Sequence, residues 1–288
     1  MSVEWPTVAL TIVIWGAHLA AWRWHDAMPW PVTIVVFALL GGWYMSLQHE
    51  TIHGHPTPWP LVNRTIVWMP LSFWLPYATY RKSHLDHHDS DLTEPGVDPE
   101  SFYVSPEAWA RAGRLRRTAW RINRTLVGRL VLGPWLGIPA TIAADVRAMR
   151  HDRSVRVAWL LHVPAVVVVC WVVFGVFDVP VWQYLLGYVW GGVAMSYTRS
   201  FAEHLAVPAP ATRSAMVPSN WAMSLLFLNV NHHHTHHALP GVPWYLVPKY
   251  SRDLGAEELA ATGAGTYRGY LEIARRFAFR PFSQPVHP

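Results

Sequence analysis

Four apolar runs, over residues 6–22, 31–47, 155–177 and 181–198, constrain this chain more than anything else in it. A hydrocarbon core about 30 Å thick takes about 20 helical residues to cross. Inside it the backbone must satisfy its own hydrogen bonds, which a helix does unaided. The runs therefore predict an all-α polytopic membrane protein with about four transmembrane helices; the first two are short and imply tilt or local thinning. Composition agrees, with 52% hydrophobic and 14% charged residues, where ordinary soluble domains carry about 25% charged. The 18 Trp and 11 Tyr suit a membrane interface, where amphipathic rings gather.

The chain is basic, with a formal net charge of +5. All its basic residues except Lys82 and Lys249 are Arg, and 13 of the 23 fall between Arg81 and Arg156. No nucleic-acid module accompanies them, so the pattern reads as a cytoplasmic region facing anionic lipid and not as a nucleic-acid surface. The linkers WRWHDAMPW and GVFDVP hold only Arg23. Positive-inside bias then places both termini and the central region in the cytoplasm. The opening MSVEWP lacks the positive start of a signal peptide, so the first run is expected to stay as an anchor. A single cysteine, Cys170, excludes an intrachain disulfide and a Cys-based zinc site.

Two weaker apolar segments, 64–80 and 125–144, are interrupted by Pro70, Pro76, Gly133, Pro134, Gly137 and Pro139. They are expected to dip into the interface or lie along it. Counting either as a span would divide the chemistry described next across the bilayer. The whole chain, 1–288, is read as one membrane-bound domain with a cytoplasmic helical cap.

That chemistry is carried by histidine. QHETIHGHP, SHLDHH, FAEH and NVNHHHTHH each fall at or beyond a cytoplasmic end of an expected span. On a helix, residues i, i+3 and i+4 share a face. This selects His49 and His53; His84, His87 and His88; and, in the only frame that gives His-x-x-His-His, His233, His236 and His237. His204 follows the last run. A lone histidine at a membrane boundary ordinarily snorkels or hydrogen-bonds, but three boxes in metal-binding register do not fit that description. Nine imidazoles exceed the four that a tetrahedral ion accepts, so two metals are expected. Imidazole suits Fe, Zn, Cu or Ni and leaves the metal open.

Read alone, His49-Glu50-x-x-His53 has the spacing of a zinc metalloprotease with Glu50 as general base. That reading leaves the other boxes without a role, and the expected spans contain no Asp for a third-ligand motif. A metal carrier would place ionisable residues at mid-span; His18 and His162 lie there but are isolated, and packing explains them better.

The boxes HETIH, HLDHH and HHTHH, in this order and membrane spacing, together with YRKSHLDHHDSDLTEPGVDPESFY and NVNHHHTHHALPGVPWYLVPKY, resemble the integral-membrane fatty acid desaturase and hydroxylase superfamily, and its bacterial desaturase-like members in particular. The resemblance covers about 40–250. It implies two iron ions held by His49, His53, His84, His87, His88, His204, His233, His236 and His237. It further implies O2 as co-substrate and attack on an unactivated C–H bond of a lipid or acyl chain, at the cytoplasmic face of the cell inner membrane. Asn229 matches a residue that holds a metal-bound water in some members; a capping or hydrogen-bonded Asn fits that position as well. No HPGG-type segment is present, so electrons are expected from an external ferredoxin or cytochrome b5-like protein. Acyl desaturation is the first reading; lipid hydroxylation and carotenoid ketolation or hydroxylation reuse the same boxes. Asp86, Asp91, Asp98 and Glu203 are candidates to orient ligand imidazoles, with Glu50 a supporting or surface carboxylate. The run 111–124 can dock an acidic electron carrier, an acyl carrier or anionic lipid, and the aromatic stretch 59–77 can wall a substrate tunnel.

Overall fold

A computed structural model describes residues 2–288. Among them the chain is helical, with isolated β-bridges and no strand. It divides into two compact units, one formed by 1–82 and 136–196, the other by 83–135 and 197–288.

In the first unit, α1 (Trp5–Arg23) and α2 (Trp30–Ile52) each begin with Pro in the first turn, where its missing N–H costs no helical hydrogen bond. Along α1, Thr7, Leu10, Ile14, His18 and Trp22 are buried in the three-to-four spacing of one face. Ile12 and Val13, on the far side, are 67% and 55% exposed. An apolar side turned outward is what a helix in lipid presents. A short α3 (Pro60–Ile66) follows, and Asn63 pins the loop before it by donating to Gly54 O and Thr57 O. An apolar groove of about 220 Å³ is lined by Trp68, Met69, Leu161, Pro164, Ala165 and Val168.

α4 (Tyr77–His88), α5 (Pro106–Arg111) and α6 (Arg114–Ile122) lead to α7 (Leu126–Ala148). α8 (Arg153–Cys170) continues as a π-helical stretch, Trp171–Val176. α9 (Val181–Tyr184) runs through the π-helical Leu185–Gly191 into α10 (Gly192–Ser200). α2 packs against this last stretch through glycine: a Cβ on Gly41 would lie 2.9 Å from both Gly192 Cα and Tyr188 O, and one on Gly191 2.7 Å from Ala38 Cβ. Such small-residue contacts let apolar helices approach where no hydrophobic effect drives them together.

Among the described residues, the four helices long and apolar enough to cross a membrane are α1, α2, α7 and α8 with its π-helical extension. This set differs from the runs expected from sequence at two places. The interruption expected over 125–144 does not occur: α7 runs unbroken through Pro134 and Pro139, since neighbouring groups in an apolar helix can re-satisfy the carbonyls that proline frees. Residues 181–200 are helical throughout but are not among the four, because Gln183, Tyr184, Tyr188 and three glycines make the stretch less apolar.

The second unit adds α11 (Trp221–Leu226), α12 (His233–Ala238), α13 (Val247–Asp253), α14 (Ala256–Ala261) and α15 (Tyr270–Phe277). Short loops join them, and Met216, Ala256 and Ala260 form a small fully buried cluster.

Candidate metal centre

In the second unit, α4 and α12 each offer histidines at i, i+3 and i+4, which lie one above the other on a helix face. His204 is carried by a bridged pair of extended segments, with Ala215 N–H donating to Glu203 O (2.8 Å) and Leu205 N–H to Arg213 O (3.0 Å). The chain enters α12 through Leu228 and Asn229, both left-handed (φ 48° and 56°). His234 N–H reaches Ala215 O at 3.1 Å, which ties the third box to the segment bearing His204.

His87, His204, His233 and His237 have ligand atoms all within 4.8 Å of one another. Three Nε2···Nε2 separations link them: His204 to His87 3.2 Å, His233 to His204 2.9 Å and His237 to His233 3.1 Å. Ligands held at a bond length of about 2.1 Å lie roughly 3.0–3.4 Å apart around one ion, so the spacing fits a metal. His88 Nε2 is likewise 3.1 Å from His84 Nε2 and 3.0 Å from His236 Nε2. Seven of the nine expected ligands therefore converge within this unit. His49 and His53 lie in the first unit at the end of α2, with ring centroids 4.9 Å apart.

The opposite ring nitrogens of His84, His87 and His204 are hydrogen-bonded. His87 Nδ1 is 2.7 Å from Asp98 Oδ1, while backbone N–H groups of Glu100 and Thr93 donate to Asp98 Oδ1 and Oδ2. A carboxyl that accepts at both oxygens is paired best by an Nδ1–H donor, which assigns the tautomer and leaves His87 Nε2 with its lone pair toward the cluster. His84 Nδ1 meets Glu100 Oε1 at 3.0 Å, His204 Nδ1 meets Ser214 Oγ at 3.3 Å, and His233 Nδ1 lies 3.4 Å from Glu203 Oε1.

Electrostatics favour neutral imidazoles and a bound cation. Burial, reinforced by neighbouring imidazoles and, for His233, by Arg199, holds His233 and His237 well below the ordinary imidazole pKa and lowers His204 and His88 to about 3. Metal ligation needs such neutral rings. At His87 burial also opposes protonation, yet Glu100, Asp98 and Glu203 outweigh it and raise the pKa. Burial opposes ionisation of Glu100, but His84, His87 and Arg199 hold its carboxyl well below the usual range. Glu203 is raised to about 7 by burial, against the opposing pull of Arg199, 3.2 Å away. Four imidazoles, with a carboxylate hydrogen-bonded behind His87 and no thiolate, suit Fe, Zn, Cu or Ni.

Of the carboxylates singled out by sequence, Asp98 and Glu203 stand behind candidate ligands. Asp91 pairs with Arg213 instead, and Asp86 is exposed. Glu100 was missed; its only signal is proximity to Asp98 in the turn-rich VDPESF. Glu50 is buried and groups with Glu4 and His55, and His55 Nδ1 meets Glu4 Oε1 at 2.7 Å. Asn229 donates its amide to Trp244 O at 2.9 Å. His232 meets Ser251 Oγ at 3.1 Å, off the shared face as its register requires.

Helices of membrane-crossing length and composition, joined to a pocket of converging histidines, define a helical integral membrane protein with an all-imidazole site that could hold metal. The fatty acid desaturase family model matches residues 26–269, and the chain belongs to that family, within the desaturase and hydroxylase superfamily. No curated protein matches the chain significantly.

Proposed function

We propose that this protein is an O2-dependent membrane desaturase that removes hydrogen from an unactivated C–H bond of a lipid-borne or otherwise carried acyl chain. The observation carrying this reading is the set of four imidazoles whose ligand atoms lie within 4.8 Å of one another, with His87 held from behind by Asp98. Two bound irons would supply oxygen activation, with electrons from an external ferredoxin or cytochrome b5-like carrier.

The chain's own residues hold, orient and shield. His87, His204, His233 and His237 present one donor set; His84, His88 and His236 adjoin it. In this reading His49 and His53 complete the ligands. Asp98, Glu100 and Glu203 fix ring orientation and raise ligand basicity. Asn229 is assigned a water-holding role through its remaining amide oxygen, its Nδ2 being committed to Trp244. Burial of His87 and His233 keeps bulk water from the donor atoms. Glu50 faces Glu4 and His55, a poor position for the general base of a zinc hydrolase.

The site belongs to the cytoplasmic face of the inner membrane, with both termini on that side. Because His87 and His204 share one cluster, the chain between them crosses an even number of times, as the pair of runs 155–177 and 181–198 would. Product analysis with an added electron donor tests the reaction: a new carbon–carbon double bond supports it, whereas a hydroxyl or ketone assigns the chain to the other reactions of its superfamily.

A further inference from the structure

The start of α7 carries buried charge that the metal centre does not use. Arg124, just before the helix, and Arg129, in its first turns, are 4% and 1% exposed. Arg129 Nε donates to Asn123 O at 2.9 Å. Its guanidinium carbon rests 3.7 Å from the Phe102 ring centroid, with Phe201 and Tyr197 at 5.7 and 5.9 Å. Arg124 lies 4.4 Å over Tyr103. Arg129 is close enough to feel the charge of Arg124.

Three donors of this pair, Nε and Nη2 of Arg124 and Nη1 of Arg129, are buried without a hydrogen-bond partner, and neither side chain forms an ion pair among the described residues. A buried cation without an opposite charge is strongly unfavourable, and two adjacent ones more so. Rings beneath the guanidiniums and the Tyr103 hydroxyl beside Arg124 offset part of this but leave those three donors without a partner. An ionisable residue inside a helix able to cross a membrane is a functional site until a partner explains it.

We propose that Arg124 and Arg129 form a binding site for a phosphate-class anion at the start of α7. Two planar forks match the oxygens of a phosphate or phosphodiester, and an anion would balance charge that the chain leaves open. The anion's sources are a phospholipid headgroup or free inorganic phosphate. The setting favours the headgroup: α7 is of membrane-crossing length, and Arg111, Arg114, Arg116 and Arg121 are exposed on the segments leading into it. Tyr103, under Arg124, accepts the Ala206 N–H at 3.1 Å, two residues beyond His204, so occupancy of the site also steadies the segment that bears this histidine. The inference stands on the unpartnered donors and does not depend on the reaction proposed above.

The test compares the full chain with Arg129→Met, Arg124→Met and Arg129→Lys in one detergent. Native mass spectrometry and phosphorus analysis are followed by thermal unfolding after delipidation, with inorganic phosphate, phosphatidylglycerol nanodiscs or phosphatidylcholine nanodiscs added back. The native chain is expected to retain stoichiometric phosphorus and to lose thermal stability on delipidation. Recovery with phosphate alone identifies the free ion, and recovery only with lipid identifies a headgroup. The two methionine variants should retain no phosphorus and respond to neither. Should they not fold, Arg129→Lys, which keeps the charge and loses the fork, should move the phosphate or lipid midpoint by about tenfold. Equal phosphorus and equal thermal responses in the native chain and in the R129K and R129M variants would overturn the site and leave ordered water, bridging to the buried Asn123 Oδ1, as the partner of these donors.

Discussion

His18 and His162 of the first unit and the clustered histidines of the second do different things, and the partners of their ring nitrogens tell them apart. In the first unit, His18 Nδ1 is 2.7 Å from Ile14 O and its Nε2 3.0 Å from Tyr188 Oη, while His162 Nε2 meets Phe73 O at 2.7 Å. These rings find ordinary donor or acceptor partners and cross-link helices. In the second unit, His87, His204, His233 and His237 turn Nε2 toward other Nε2 atoms, while Nδ1 of His87 and His204 meets an oxygen within 3.3 Å. Nitrogen lone pairs brought together in this way suit a cation. Burial alone does not make the distinction, since His18 and His233 are both buried; the partner chemistry does.

The largest break in that comparison should come from His87→Ala or His233→Ala, each expected to abolish bound metal and reduce turnover to background, as read by metal analysis and product formation. Asp98→Asn keeps the shape but weakens the acceptor behind His87; metal affinity or activity should fall by about 10–100-fold, measured by competition with a chelator. In the first unit, Gly41→Val forces a side chain against Gly192 Cα and Tyr188 O. It should cost about 1–3 kcal/mol of stability in thermal unfolding while leaving the metal content per folded chain unchanged. The smallest effect should be that of His18→Phe, which removes two hydrogen bonds and costs about 1–2 kcal/mol, again with metal retained. A His18 variant that loses metal, or a His87 variant that keeps it, would erase the distinction.

The histidine faces were legible because helical periodicity is written directly in the sequence: SHLDHH and HHTHH admit one face each, and His232 falls off it toward Ser251. His204 is a single residue without a spacing partner, and only its place just after the last apolar run singled it out before the family resemblance. Glu100 was not legible, because its partner His84 lies 16 residues earlier and no local spacing links them. The four apolar runs are each helical, and so is 126–148, where interruption was expected. Pro134 and Pro139 argue for interruption in water, yet an apolar helix tolerates them; conversely, 181–198 counts as apolar by its aliphatic and aromatic residues, although its tyrosines and glycines serve packing against α2. The arginine run 111–124 reads as one surface, whereas Arg124 is buried and the earlier ones are mostly exposed, with Arg121 set 5.1 Å over the Trp109 ring. Burial of a charge depends on which aromatic rings the fold delivers, and these come from residues far along the chain.

The central claim is that the histidine pocket is an oxygen-activating metal centre. Metal content of the gently purified chain, measured beside His87→Ala and Glu50→Gln, tests it most directly. The account predicts about two irons per chain, lost in His87→Ala and kept in Glu50→Gln. A single zinc, retained without His87 and supporting an activity that requires Glu50, would contradict it.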